Sequence, residues 1–467
     1  MSPIHQDAEP VLQRLHGSIT GRCITPDEAD YDEARRVWNG MIDRGPLAII
    51  RAASTDDVGP TINAARELRV PLAIRGGGHN VAGNGTVEDG LVLDLGGLNE
   101  VAVDPEARTV TVGPGATLGD VDRATAPHGL AVPTGVVSGT GMAGLTLGGG
   151  VGWQTRAYGL TADNLISAEV VNASGVTVRA SDLDDADLLW GLRGGGGNFG
   201  VTTSFTYRAY PLGPKVFAGT FVYGPDRWRT ALRAMDAWAR DLPDEITAIT
   251  TTLTPPPEFE LGHDPVMLVG FASTSPDRAR GEALVAPLRE AAPPDAEVVD
   301  PVDWPAWQSQ ADLLFPKGVR AYWKNTSFDR LDDEVIEVIV RRGLEQTWFG
   351  TAFDIHHMEG AFGRIGEDAT PFPGRSARYW LNIYGFWPDA ADDEARIAFV
   401  RGLANDMAPF ASGGTYVNFM GHEGPGQDAR AAALAVYGPA KLARLQALKQ
   451  RMDPDNLFRL NHNIPPG

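Results

Sequence analysis

A single cysteine, Cys23, stands among 467 residues. The chain can therefore form neither an internal disulfide nor a cysteine-based zinc site, and nothing points to an oxidising compartment. The Asn-x-Ser tripeptides at Asn172 and Asn325 then carry no meaning as glycosylation signals. Long apolar runs are lacking too, none approaching the roughly eighteen residues of a membrane helix. The opening MSPIHQDAEPVLQRLHG sets acids and a proline where a secretory leader would set basic residues before an apolar core. A cytoplasmic location is expected. Basic charge is in the minority: 40 Lys and Arg against 60 Asp and Glu leave a formal charge of −20. Such a surface repels phosphate backbones and anionic lipids, so neither nucleic acid nor membrane is expected as a partner. No HExxH or Cys-His spacing occurs, and His356 and His357 on a strand would point to opposite faces, so no metal is expected.

Glycine, in contrast, is abundant, and it clusters. From Pro46 to about Tyr210, short β-branched runs such as LAIIRAAS, LVLDLGGL and RTVTVGPGA alternate with glycine-rich turns, and TDDVGPTINAARELRV has helical spacing between two of them. This part reads as α+β and opens on a strand–helix–strand unit. Residues 211–410 hold more Trp and Pro, with helices (RWRTALRAMDAWARDL, DDEVIEVIVRRGLEQ) and strands (AITTTLT, RYWLNIYGFW), a sheet with helices laid on one face. The remainder, 411–467, ends in an amphipathic helix stopped at Asp453-Pro454 and an extended tail. Three segments are expected: 1–210, 211–410 and 411–467.

The G-x-G-x-x-G spacing occurs twice, as GTGMAG (Gly139–Gly144) and GGGNFG (Gly195–Gly200). A dinucleotide fingerprint needs a preceding strand and a long following helix. GGGNFG runs into VTTSFTY, a strand pattern, and GTGMAG runs into LTLGGGVGW, too glycine-rich for a good helix. A Rossmann site is not expected. The loops are either tight turns or backbone surfaces open to one large anionic ligand.

Taken together, RGGGHNVAG, PTGVVSGTGMAGLTLGGGVGWQTRAYGLTADNL, LRGGGGNFGVTTSF and YVNF with YGPAKLARLQALKQRMDPDNLFRLNHNIPP resemble the berberine-bridge-enzyme-like branch of the vanillyl-alcohol-oxidase superfamily. The resemblance covers nearly the whole chain. It implies a PCMH-type FAD-binding domain of two subdomains, a substrate domain with an antiparallel sheet covered by helices, and FAD as cofactor. It also implies a covalent bond from His79 to the 8α-methyl carbon of the flavin, with Gly76, Gly77 and Gly78 cradling the pyrophosphate and Arg75 and Asn80 as further cofactor-binding residues. Relatives with a second tether carry a cysteine where this chain has Val137, so a single histidyl link is expected. Thr140 matches a small residue that governs oxygen access, or is a turn threonine. Thr134, Gly135, Gly141, Gly144, Gly149, Gly152, Tyr158, Asp163, Asn164, Asn198, Val201, Asn418 and Asn463 match further cofactor contacts, each of which could also be structural.

In sugar-oxidising relatives the tyrosine of the terminal Y-x-N stretch removes the substrate hydroxyl proton as hydride leaves for flavin N5. Tyr416 matches it. An acid on a neighbouring strand assists it there, and Asp354 of FDIHHMEGAFGR is the expected equivalent, unless it is an ordinary salt-bridged strand acid. A carboxylate raises a phenol's pKa, so Asp354 is expected to accept or orient the proton. On a strand, Asp354 and His356 share a face, which puts His356 at the substrate. The resemblance thus implies an FAD-linked oxidase acting on an alcohol or activated C–H of a small molecule, a natural product or a sugar, with O2 as acceptor. Two alternatives stay open: a flavin-dependent oxygenase or cyclase acting on an aromatic or polyketide-like intermediate, and a non-catalytic flavin-binding protein. Nothing in the sequence points to a particular oligomeric state.

Overall fold

The computed structural model describes residues 3–255, 264–421 and 428–467, with side chains from Ala8 onward. Three large sheets organise these residues. The first has four strands in the order Arg22–Ile24, Ala48–Arg51, Leu91–Asp94, Leu72–Arg75. Its last three strands run parallel, joined by the helix Val58–Leu68, whose Val58, Ile62 and Ala65 are buried. The strands flanking that helix are not neighbours, because Leu91–Asp94 inserts between them. Every residue of that central strand is buried, as expected for a strand paired on both edges.

A five-stranded antiparallel sheet follows, in the order Val101–Asp104, Thr109–Val112, Val201–Arg208, Leu165–Val171, Thr177–Ser181. Against it pack Leu188, Leu189, Leu445 and Leu448, the last two from the helix Ala429–Met452. That helix kinks at Gly438 (φ 68°), before Pro439, and ends where Asp453 precedes Pro454. The buried Lys449 ammonium donates to Asp453 and to the carbonyls of Asn198 and Phe458, fastening the tail to the glycine-rich loop before Val201.

The third sheet has seven antiparallel strands, ordered Ala296–Asp303, Lys215–Tyr223, Val266–Ser273, Ile246–Thr254, Gly350–His357, Tyr379–Trp387, Arg320–Phe328. Strand alternation decides its two faces. Phe353, Ile355, Leu381 and Ile383 pack under helices Trp228–Ala239, Asp333–Glu345 and Asp393–Met407. Asp354, His356, Asn382 and Tyr384 therefore take the other face, towards the first two sheets. None of the described helices is long and apolar enough to cross a membrane.

One expectation is corrected here. GTGMAG does open a helix, Met142–Gly148, in spite of its glycines. Packing outweighs propensity over so few residues: Met142, Ala143 and Thr146 are buried, and the Thr146 hydroxyl bonds Tyr207 at 2.7 Å.

The third sheet is joined to the second partly through Asp122 on the helix Leu118–Thr125. Its carboxylate accepts from Trp304 Nε1 at 3.0 Å and Gln308 Nε2 at 3.4 Å, and burial pushes its pKa from 3.8 to about 7. The folded chain thus holds this proton more tightly than the unfolded one, so its contribution to stability falls as pH rises from about 4 to about 7 and is level above. Asp122→Asn keeps an acceptor for Trp304 and removes the buried charge. Thermal unfolding should show a gain of about 2 to 4 kcal/mol at pH 8 that shrinks as pH falls towards 4. An equal gain at both ends would refute the titration.

Candidate active site

The parallel strand Leu72–Arg75 delivers its chain directly into Gly76–Gly78 and His79. Here the glycines are required by close approach. A Cβ on Gly77 would lie 2.5 Å from the Gly141 nitrogen, one on Gly141 would lie 2.4 Å from the Gly77 nitrogen, and one on Gly76 would lie 2.7 Å from the Pro114 carbonyl. The two loops therefore meet backbone to backbone. Beside them opens a cavity of about 1580 Å³, counted out to its mouth. Arg75, Gly76, Gly77, Gly78, His79, Asn80, Gly135, Val137, Thr140, Gly141 and Gly144 line it, together with His356, Tyr416 and Asn418. A Cβ on Gly144 would meet no atom within 4 Å, because it would project into this space.

Burial pushes the His79 imidazole down to about 4, so the ring is neutral at physiological pH. Arg75 Nη2 donates to Asp94 at 2.9 Å, while its Nη1 is buried without a protein partner. Val137 offers no nucleophile, and Cys23 lies in the core of the first sheet.

Two phenols with different surroundings line the same cavity. The Tyr416 hydroxyl accepts from Gly150 N at 2.9 Å and from Asn418 Nδ2 at 3.0 Å. Burial raises its pKa to about 12 against the opposing effect of these donors. Tyr384 instead donates to Asp354 Oδ2 at 3.1 Å, and burial together with that carboxylate holds it well above the usual phenol range. Among the described residues no hydrogen bond joins Asp354 to Tyr416. Asp354 sits behind Tyr384, with its own pKa pushed by burial to about 6. Both His356 ring nitrogens and Asn382 Oδ1 are buried without a protein partner, and both residues line the cavity.

Other matched residues lie outside the lining. Thr134 accepts from Gln308 at 2.8 Å. Tyr158 stacks on Tyr210 at 3.8 Å, and Asn164 accepts from the Tyr210 hydroxyl. Asp163 forms a buried pair with Arg375 at 2.7 Å. Gly149 and Gly152 approach Phe372 and the Thr134 carbonyl too closely for a Cβ. Asn198 accepts from Ile464 N at 3.1 Å, Val201 is in the core of the first sheet, and the tail reaches the cavity through Asn461 and His462 rather than Asn463. Residue-type reasoning overlooked Tyr384, Asn382, Trp323 and Phe419. Alternation along RYWLNIYGFW would have placed the first two on the face shared by Asp354 and His356.

Comparison with known proteins fits this geometry. A family model described as "FAD binding domain" matches residues 46–181, and one described as "Berberine and berberine like" matches 415–465. The uncharacterized FAD-linked oxidoreductase YvdP of Bacillus subtilis is 30% identical over 96% of this chain and 98% of its own. The chain belongs to the berberine-bridge-enzyme-like FAD-linked oxidoreductases. The (R)-6-hydroxynicotine oxidase of Paenarthrobacter nicotinovorans is 29% identical over 96% of this chain and 97% of its own. BBE-like 1 of Physcomitrella patens shares the fold, with a TM-score of 0.86 at 22% identity over 98% of this chain and 99% of that one. Membership in this oxidoreductase family sets aside the non-catalytic flavin-binding alternative. FAD is the family's cofactor, and the residues present suit it. The orphaned Arg75 Nη1 and the glycine backbones answer the need of a pyrophosphate for donors.

Proposed function

We propose that this chain is an oxidase that holds FAD by one covalent bond from His79 and oxidises an alcohol or activated C–H of a small molecule, with O2 as final acceptor. The observation that carries the reading is one cavity lined both by a neutral, half-buried imidazole and by the Tyr416 ring, whose hydroxyl is held by two N–H donors. FAD, when bound, supplies the hydride acceptor, and a histidyl substituent draws electron density from its ring.

The protein supplies positioning and proton handling. Residues 1–210 with the returning segment 411–467 hold the cofactor, and 211–410 present the substrate. Tyr416 accepts the substrate hydroxyl proton, because Gly150 and Asn418 both stabilise its anionic form. Tyr384 stays protonated, its single O–H given to Asp354, and presents its oxygen to the substrate as an acceptor. His356 and Asn382 offer unpaired polar atoms to the substrate body, and Trp323 and Phe419 line the same cavity, which suits a planar aromatic as well as a sugar ring. Thr140, on the loop that meets Gly77, governs oxygen access.

The test starts with colour and mass. Acid-precipitated protein should stay yellow, the intact mass should be raised by one FAD, and His79→Ala should release all flavin into the supernatant. Acid-stable flavin in His79→Ala would refute the assigned link. With substrate, peroxide should form one for one, and a much lower yield would favour oxygen insertion. Asp354 adds a pH signature: below about pH 6 its carboxyl is neutral and no longer accepts from Tyr384 as an anion. Activity should fall on that side, and Asp354→Asn should flatten the limb.

A further inference from the structure

The segment ARRVWNG, which no motif claims, runs between the histidine loop and the third sheet. Trp38 stacks on His79 with ring centroids 4.6 Å apart and planes 21° from parallel. Its own position is fixed on every side. The Trp38 N–H donates to the Gly78 carbonyl at 3.0 Å, its carbonyl accepts from Gly318 at 2.8 Å, and Nε1 donates to the Phe315 carbonyl at 3.2 Å. Trp323 and Phe386 pack against the indole at 5.2 and 6.2 Å. Next to it, Asn39 Nδ2 donates to Val81 at 2.6 Å and Ala321 at 2.8 Å, so the segment is bonded to the histidine loop and to the sheet at once.

A histidine ring turns easily about its last side-chain bond, where the torsional minimum is broad. A rigid indole lying nearly parallel removes that freedom. We infer that Trp38 is the positioning residue for flavin attachment, its face setting the plane from which the His79 nitrogen meets the flavin methyl carbon. The inference rests on the proposed His79 link. In that step one methyl C–H bond and the imidazole N–H are lost and a C–N bond forms. The two electrons and two protons pass to the flavin ring, and molecular oxygen then takes both as peroxide. Burial helps independently, because the neutral ring is the nucleophilic form. Since Trp38 is held by Phe315, Gly318, Trp323 and Phe386, the ring is aimed only once the third sheet has docked.

The experiment follows tether formation in full-length protein produced under riboflavin limitation and then given saturating FAD. Tethered flavin is read as colour retained after acid precipitation and as added mass. Trp38→Phe keeps an aromatic face and should tether within about 3-fold of wild type. Trp38→Leu keeps apolar bulk without a face and should tether about 10- to 100-fold more slowly, the usual scale for lost orientation. Its melting temperature should fall, because the buried indole is packed and bonded on every side, but its reversible FAD binding should stay near wild type, which a merely structural role would not separate from tethering. Wild-type tethering in Trp38→Leu overturns the inference. If Trp38→Leu is insoluble, Trp38→Phe decides: a loss of 10-fold or more there overturns it, and a wild-type rate supports it. Wild-type protein without acid-stable flavin would instead bring down the His79 link itself, and this inference with it.

Discussion

Tyr416→Phe is expected to keep its FAD and to slow flavin reduction by substrate about 100- to 10,000-fold, the range for removal of a positioned general base. The substitution is close to isosteric. Phe372, Trp380 and Phe419 surround the ring at centroid distances of 5.5, 6.4 and 5.1 Å, and none of these contacts uses the hydroxyl. The hydroxyl's removal does strand donors. Asn418 Nδ2 retains the Leu145 carbonyl at 3.1 Å, but the Gly150 N–H loses its acceptor at a cost of about 1–3 kcal/mol. Flavin content must therefore be measured beside the rate. A pH profile separates base from packing group. With its pKa pushed up to about 12, Tyr416 is mostly protonated at neutral pH, so wild-type reduction should quicken as pH rises while Tyr416→Phe stays level. If Tyr384→Phe abolishes reduction and Tyr416→Phe does not, the base is the phenol on Asp354.

These two tyrosines also show what the sequence could tell. Tyr416 was legible because it sits in a short ordered motif, Y-x-N, beside a matching tail. His79 was legible for the same reason, closing a run of glycines whose crowding against Gly141 the structure explains atom by atom. The third sheet's helix-covered face followed from alternation and helical spacing, both local properties. Tyr384 was not legible as a partner of Asp354, because the two lie on neighbouring strands whose register, Asp354 opposite Asn382, is set by long-range pairing. The insertion of Leu91–Asp94 between two strands joined by a helix was hidden likewise, since parallel neighbours carry no local signal of their order. Tyr158, Asp163 and Asn164 mark the opposite case. Their motif is ordered, yet they brace the scaffold through Tyr210 and Arg375 instead of lining the cavity.

The glycine loops yield the other large effect, through a contrast of sign. Gly77→Ala and Gly141→Ala each thrust a methyl group to within 2.5 Å of backbone atoms on the facing loop, and backbone cannot step aside by changing rotamer. The loops must part, and one of them carries His79. A displacement near 1 Å costs about 100-fold in an oriented reaction, so both variants should emerge with little or no tethered flavin and a lowered melting temperature. Gly144→Ala meets nothing within 4 Å and lies inside the helix Met142–Gly148, where alanine is worth about 0.5–1 kcal/mol over glycine. Flavin-free protein should therefore unfold at a higher temperature with this substitution. Its methyl group nevertheless stands in the cavity, so FAD should bind more weakly and tether more slowly. Greater stability joined to poorer flavin loading is an outcome that general damage to the fold cannot produce. Full loading in Gly144→Ala would mean that the cofactor does not lie against this wall, and the placement of FAD beside Gly144 would have to be abandoned.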